Sequence, residues 1–136
     1  MSRRVVVTGM AGISPIGNDW STIRQRLGEY RNGVTRMDEW SDYEGLNTQL
    51  GAPAAPFELS DKFNRKTMRS MGRIALMATR ASELALLDAK LLDDPLLQSG
   101  QMGISFGSSA GTPSAIGDFG RMMEERTTKG LSLIHI

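Results

Sequence analysis

The chain has 136 residues, which is enough for one ordinary domain with a core of modest size. Its 16 Lys and Arg against 15 Asp and Glu leave a net charge of +1, so no overall field attracts nucleic acid or anionic lipid. Cysteine is absent, which excludes disulfides, thiolate metal sites and cysteine nucleophiles within these residues. The apolar run at the N-terminus stops at Gly9, and no stretch approaches the ~18 apolar residues of a membrane span. We expect a cytoplasmic protein with neither export signal nor membrane span.

The N-terminal residues predict a strand, a glycine loop and a helix. Val5–Thr8 is a β-branched run typical of a buried strand, and it leads into a loop from Gly9 to Gly17. Asn18 or Asp19 can cap the helix that follows, and an Asn-Gly pair at 32–33 is a stop signal. The apolar positions of this helix recur at three- and four-residue steps: Trp20, Ile23, Leu27 and Tyr30.

The middle of the chain predicts irregular structure and then one long helix. Residues 34–60 are punctuated by glycine and proline, with one short edge strand expected around Thr48 to Gly51. The long helix begins near Asp61, has a basic first half, and carries Ala, Leu and Met on nearly its whole circumference from Ile74 to Leu92. A helix that is apolar all round is expected to be buried between layers.

A second strand, glycine loop and helix follow the break at residues 93–95. The apolar run Met102–Phe106 predicts a strand, residues 107–111 form the loop, and Pro113 suits the first turn of a helix that ends by residues 127–130. Its expected core-facing residues are Ile116, Phe119, Met122 and Met123. Strands that alternate with helices indicate an α/β fold with parallel pairing.

The first glycine loop has two interpretations. A glycine loop between a strand and a helix can bring backbone N–H groups to a pyrophosphate, as in dinucleotide-binding proteins. Here Ala11 and Ser14 occupy positions where that fingerprint has glycine, and Pro15 removes an N–H donor. A tight packing turn is the favoured interpretation, and a cofactor loop is the alternative.

Four segments in order resemble the β-ketoacyl-acyl carrier protein synthases of the elongating type. They are RRVVVTGMAGISPIG at 3–17, NGV at 32–34, RKTMR at 65–69 and GISFGSSAG at 103–111. The resemblance implies a partial thiolase-like α/β fold, the N-terminal part of its first half, with mixed or parallel strands and a long buried helix. We expect residues 1–130 to be an incomplete synthase domain and 131–136 to be a non-native tail.

The resemblance also implies the chemistry of the longer enzyme. Family members hold an acyl chain as a thioester on a cysteine and condense it with malonyl-acyl carrier protein in fatty acid biosynthesis, assisted by two histidines and a lysine. A thiolate is required because it attacks thioesters well and is also a good leaving group. The one histidine, His135, matches no such position and is interpreted as a tail residue. We therefore expect no catalytic residue, cofactor or metal in this chain, and no activity from it alone.

Two functional positions are carried over by the resemblance. By the resemblance, Lys66 and Arg69, with Arg65 beside them, match a basic surface that docks the acidic acyl carrier protein. The residues alone favour a solvated helix start with ordinary surface charge, and the resemblance shifts the interpretation to docking. Ala110 matches a position that limits acyl-chain length beside the interface of a homodimer. Its alternative is a packing turn whose small residues allow close approach of helix and strand.

Two other functions stay open beside the truncated synthase. One is a non-catalytic partner subunit like the chain-length factors, which resemble synthases but lack the cysteine. The other is the nucleotide-binding module. In the longer gene, a cysteine in a Thr-Ala-Cys-like context supports a synthase, and a replacement such as glutamine supports the partner subunit.

Overall fold

The computed structural model describes residues 4–129, and the expected tail at 131–136, with His135, lies outside the described residues. The helices are α1 (Trp20–Gly28), α2 (Arg65–Met68), α3 (Arg73–Asp88) and α4 (Pro113–Glu125), with 3-10 turns at Asp38–Asp42 and Pro95–Gln98. The strands are β1 (Thr35–Arg36) and β2 (Leu50–Gly51).

The chain divides into two compact units. The first comprises the chain up to Glu58 together with Arg80–Asp94, and the second comprises Leu59–Thr79 together with the chain after Asp94. Helix α3 contributes residues to both. Within residues 4–129, no helix is long and apolar enough to cross a lipid bilayer.

Helix α1 confirms the first predicted helix and selects its cap. The Asp19 carboxylate accepts a hydrogen bond from the Thr22 N–H at 2.9 Å, which satisfies one of the free donors of the first turn. Asn18 instead donates from its side chain to the Pro56 carbonyl at 2.7 Å. The predicted stop at residues 32–33 was wrong in position. The helix ends at Gly28, because Tyr30 takes a left-handed conformation with φ of 56° and the Arg31 N–H returns to the Arg26 carbonyl at 2.8 Å.

The short edge strand predicted near Thr48 to Gly51 is confirmed in its last two residues. Strand β2 pairs antiparallel with β1, with Thr35 opposite Gly51 and Arg36 opposite Leu50. This is the one strand ladder among residues 4–129, so parallel pairing is not observed in the described chain.

The prediction of one continuous helix from Asp61 was wrong. Helix α2 ends at Met68, a turn through Gly72 follows, and α3 begins at Arg73. Helix α3 ends at Asp88 rather than near Leu92, because Lys90 takes a left-handed conformation with φ of 60° and the Leu91 N–H returns to the Leu86 carbonyl at 2.8 Å. Such a turn satisfies the last carbonyls and prevents further helix.

The two apolar runs predicted as strands are extended but unpaired. Neither Val5–Thr8 nor Met102–Phe106 forms a ladder with any described residue. Val5 is 96 % exposed and Ile104 is 84 % exposed. The prediction failed because a strand also requires a neighbouring strand that supplies its hydrogen bonds, and propensity alone cannot provide one.

Burial is shallower than the pattern predicted. Helix α3 is mostly half-buried rather than enclosed, and no hydrophobic residue among 4–129 is fully buried. Ile116, Phe119 and Met123 of α4 are exposed, and Met122 is half-buried, so the predicted core-facing side of α4 is largely uncovered in this chain. The core-facing prediction was therefore wrong for all but Met122, because an apolar face becomes core only where other residues cover it.

Candidate functional site

The first glycine loop packs directly on the C-terminal turn of α3. A Cβ built on Gly9 would lie 2.4 Å from the Ala85 carbonyl oxygen and 2.6 Å from the Ala89 backbone nitrogen. The next residue, Met10, donates its N–H to the Asp88 carboxylate at 2.9 Å. The loop therefore reaches α3 because Gly9 has no side chain, and a carboxylate takes one of its N–H donors.

The rest of this loop closes on itself and on neighbouring turns. Ser14 and Gly17 exchange two backbone hydrogen bonds of 3.1 and 3.3 Å, and the Ser14 carbonyl also accepts from the Ala55 N–H at 3.0 Å. A Cβ on Gly33 would lie 2.8 Å from the Pro15 carbonyl oxygen, so the NGV segment contacts the loop closely. These contacts favour the packing turn over the cofactor loop, because Asp88 and the α1 cap Asp19 place negative charge where a pyrophosphate would need donors.

The pKa of Asp19, the N-cap of α1, is shifted, and the cause of the shift can be tested. Hydrogen bonds from the Ser21 hydroxyl and then from the Thr22 N–H lower the pKa of Asp19 from 3.8 to about 2. Since this pKa is lowered in the folded state, the stability contributed by the cap is present above about pH 3.8 and is lost as the pH falls toward 2. In Ser21→Ala we expect an NMR titration of the carboxyl carbon to show the Asp19 pKa rising toward 3.8.

Ser41→Ala serves as the control for that titration. Ser41 donates its hydroxyl to the Asp38 carbonyl, and it is not among the groups that shift the pKa of Asp19. This variant should leave the Asp19 midpoint where it is. An unchanged midpoint in Ser21→Ala would contradict the assigned cause.

The basic residues proposed for docking lie in and just after α2. The Asn64 side chain caps this short helix by accepting from the Thr67 N–H at 2.9 Å. Arg65, Lys66 and Arg69 are all exposed, and none forms an ion pair with any residue between 4 and 129. Arg69 retains helical geometry, and its N–H bonds to the Arg65 carbonyl at 3.0 Å, so these two side chains stand one turn apart. The arrangement presents unpaired positive charge to solvent.

The second glycine loop carries Ala110 in an exposed position. Gly111 has φ of 59°, and its N–H donates to the Ser108 hydroxyl at 3.0 Å, which closes the turn around Ala110. Residues 103–111 are all exposed.

The sequence analysis did not predict a contact in the second unit between Gly72 and Thr112. These residues lie close in sequence to the docking residues and to Ala110, respectively. Gly72 lies three residues after Arg69, and Thr112 lies two residues after Ala110. A Cβ on Gly72 would lie 2.4 Å from the Thr112 Oγ1. The sequence feature that could have indicated this contact is Gly72 itself, a glycine at the end of a basic stretch that otherwise favours helix.

A separate open cavity of about 380 Å³ lies in the first unit. It is lined by Ile16, Arg26, Tyr30, Arg31, Asn32 and Gly33. The Arg31 guanidinium lies 3.2 Å from the Glu29 carboxylate, and the C-terminal carbonyls of α1 add partial negative charge. These charges offset the two arginines, so the cavity has no strong preference for an anion. Among residues 4–129, no three His, Cys, Asp or Glu side chains are grouped closely enough to share a metal ion.

The comparisons with known proteins all find the same kind of relative. A family model described as "Beta-ketoacyl synthase, N-terminal domain" matches residues 2–132. The chain is 33% identical over 109 residues to 3-oxoacyl-[acyl-carrier-protein] synthase 2 of Synechocystis sp., which covers 80% of this chain and 26% of the relative. It is 28% identical over 111 residues to 3-oxoacyl-[acyl-carrier-protein] synthase 1 of Escherichia coli, which covers 82% of this chain and 27% of the relative. The chain thus spans about a quarter of the length of the curated relatives it matches.

The backbone gives the same result. A crystal structure of a β-ketoacyl synthase from Burkholderia phymatum superposes with a TM-score of 0.89 at 40% identity, over 98% of this chain and 33% of that one. The expected partial thiolase-like fold is confirmed by this match. Because the family model and the backbone agree over nearly the same residues, the chain belongs to the β-ketoacyl synthase family, in the N-terminal domain of that family.

Proposed function

We propose that this chain is the N-terminal part of a 3-oxoacyl-[acyl-carrier-protein] synthase, an enzyme that condenses an acyl thioester with malonyl-acyl carrier protein in fatty acid biosynthesis. The joint likeness in sequence and backbone to β-ketoacyl synthases carries this proposal. A cytoplasmic location and a homodimer of the longer enzyme are part of it, as the resemblance implies.

Within this function, we assign the basic residues of α2 to carrier-protein docking. Arg65, Lys66 and Arg69 are exposed and unneutralised, which is what a strongly acidic partner requires for electrostatic attraction. Arginine adds bidentate hydrogen bonds to carboxylates, and lysine adds a compact point charge. Charged contacts of this kind at the edge of an interface raise the rate at which the two proteins associate, and they orient the partner.

The same proposal gives Ala110 a role in acyl-chain length. Its small side chain leaves space beside the second glycine loop, and its exposure leaves it free for contact with residues beyond this chain. A larger side chain at this position of the longer enzyme would shorten the accepted acyl chain.

Titration of the chain with holo-acyl carrier protein tests the docking. We expect saturable binding that weakens as salt is raised from about 0.05 to 0.5 M, because the interaction is between exposed charges. A carrier protein that shows no binding at low salt, or binding indifferent to salt, would refute the assignment.

The 136-residue chain should not catalyse condensation. It contains no cysteine, so it has no thiolate to accept the acyl group as a thioester. Incubation with acyl- and malonyl-acyl carrier protein should give no β-ketoacyl product and no release of carbon dioxide above a blank without protein. Turnover that persists after contaminating synthase is excluded, or a covalent acyl adduct on another side chain, would overturn this expectation.

The chain-length-factor alternative predicts the same inactivity and therefore needs a different test. The two functions differ at the nucleophile position of the longer protein, where a synthase has cysteine and the partner subunit a replacement. Mass spectrometry of the longer protein after treatment with a thiol-reactive acyl analogue would show an adduct at the nucleophile position for a synthase and none at that position for a partner subunit.

A further inference from the structure

Gly72 lies in close contact with Thr112, and there is no room for a side chain on Gly72. A Cβ built on Gly72 would lie 2.4 Å from Thr112 Oγ1, 2.9 Å from Cγ2 and 3.0 Å from Cβ. Real Cβ atoms do not approach other atoms so closely, and three crowded atoms of one short branched side chain cannot all move aside by rotation. The backbone at position 72 can therefore lie this close to Thr112 only if residue 72 is glycine.

Thr112 occupies the N-cap position of α4 but does not use its hydroxyl as a cap. The N-cap side chain forms no hydrogen bond to the helix, although threonine is a residue type that commonly does so. The Ala115 and Ile116 N–H groups instead reach the Thr112 carbonyl at 3.0 and 3.3 Å. The Thr112 side chain is thus committed to the contact with Gly72 rather than to the helix end.

The contact connects two segments with proposed roles. On one side, the turn after α2 closes with the Met71 N–H on the Met68 carbonyl at 2.9 Å, and the Leu76 N–H bonds to the Gly72 carbonyl at 3.0 Å as α3 begins. On the other side, Thr112 directly follows the second glycine loop at residues 107–111. Met71, Gly72 and Thr112 are half-buried, and Ser70, Arg73, Gly111 and Pro113 around them are exposed.

We propose that the Gly72–Thr112 contact sets the position of the basic residues of α2 relative to the second glycine loop, so that Gly72 and Thr112 are positioning residues for the acyl carrier protein. The proposal rests on the carrier docking argued above. Neither residue contributes charge to the partner. Their effect is transmitted through the backbone that holds Arg65, Lys66 and Arg69 in place.

A double-mutant cycle on the 136-residue chain tests this proposal. The dissociation constant for fluorescently labelled holo-acyl carrier protein is measured for the unchanged chain, for Gly72→Ala, for Thr112→Gly and for the double variant. Gly72→Ala introduces the clash and Thr112→Gly leaves a gap, and we expect each to weaken binding by about fivefold, which corresponds to about 1 kcal/mol. The double variant exchanges the roles of the two positions and should recover most of the affinity. Glycine is tolerated at an N-cap, so Thr112→Gly keeps the test decisive if Gly72→Ala does not fold.

The outcomes separate positioning from general stability. Circular dichroism and the thermal midpoint are recorded for every variant, because a purely structural role would lower the midpoint without changing the affinity of the folded protein. Folded single variants that bind as tightly as the unchanged chain, or a double variant no better than the singles, would overturn the proposal. Loss of binding in Lys66→Glu/Arg69→Glu together with unchanged binding in the four-member cycle would refute the positioning alone and leave the docking intact. Unchanged binding in Lys66→Glu/Arg69→Glu would refute the docking itself.

Discussion

Replacing Gly9 with alanine is expected to destabilise the first unit by about 1–3 kcal/mol, or to prevent the chain from accumulating in folded form. The added methyl group would meet the Ala85 carbonyl oxygen at 2.4 Å and the Ala89 nitrogen at 2.6 Å. Both atoms belong to backbone at the end of α3, so no side chain can rotate to make room. The chain must either move the loop away from α3 or distort the helix end, and the first option also lengthens the hydrogen bond from Met10 to Asp88.

Gly12→Ala is the matched control, since it makes the same chemical change in the same loop. A Cβ on Gly12 meets no heavy atom within 4 Å. Its unfolding midpoint in urea, followed by circular dichroism, should stay within ~0.5 kcal/mol of the unchanged chain. Equal midpoints for the Gly9 and Gly12 variants would show that the loop does not pack on α3 as described.

Reversing the charge of Lys66 and Arg69 together is expected to weaken carrier-protein binding by about tenfold or more. Each exposed pair with an acidic partner contributes ~0.5–1 kcal/mol, and reversal replaces attraction with repulsion, so the two positions together exceed the 1.4 kcal/mol that corresponds to tenfold. The loss should shrink as salt is raised, because screening removes both the attraction and the repulsion. The measurement is a titration with labelled holo-acyl carrier protein at two salt concentrations.

Arg24→Glu/Lys90→Glu is the control for charge alone. Both residues are exposed and lie in the first unit, away from α2 in the sequence, and the double variant alters net charge by the same amount. This control should change the affinity by less than about threefold, since a change in net charge without local contact is mostly screened. Equal losses in the two double variants would indicate attraction by overall charge and contradict a docking surface on α2.

Local chemistry determined much of this structure in advance. The α1 helix and its cap, the edge strand at residues 50–51 and the start of α4 at Pro113 follow from caps, turn residues and periodicity, which act within a few neighbouring residues. The family was predicted from the resemblance of four short motifs, in order, to the β-ketoacyl synthases, and the comparisons confirm it. Arg65, Lys66 and Arg69 were predicted to be an exposed basic group, and they are exposed and unpaired among the described residues. Their role in docking stays a prediction, as does the role of Ala110.

Strand pairing, burial and close glycine contacts depend on residues distant in sequence, and only the tertiary structure decided them. Val5–Thr8 and Met102–Phe106 have strand composition, yet pairing needs a neighbouring strand, and none of the described residues provides one. The apolar circumference of α3 and the apolar face of α4 were readable as patterns, but burial depends on the residues that cover them. The contacts of Gly9 with α3 and of Gly72 with Thr112 join segments far apart in the chain. A sequence shows that a glycine permits close approach, and only the folded chain shows which atoms approach it.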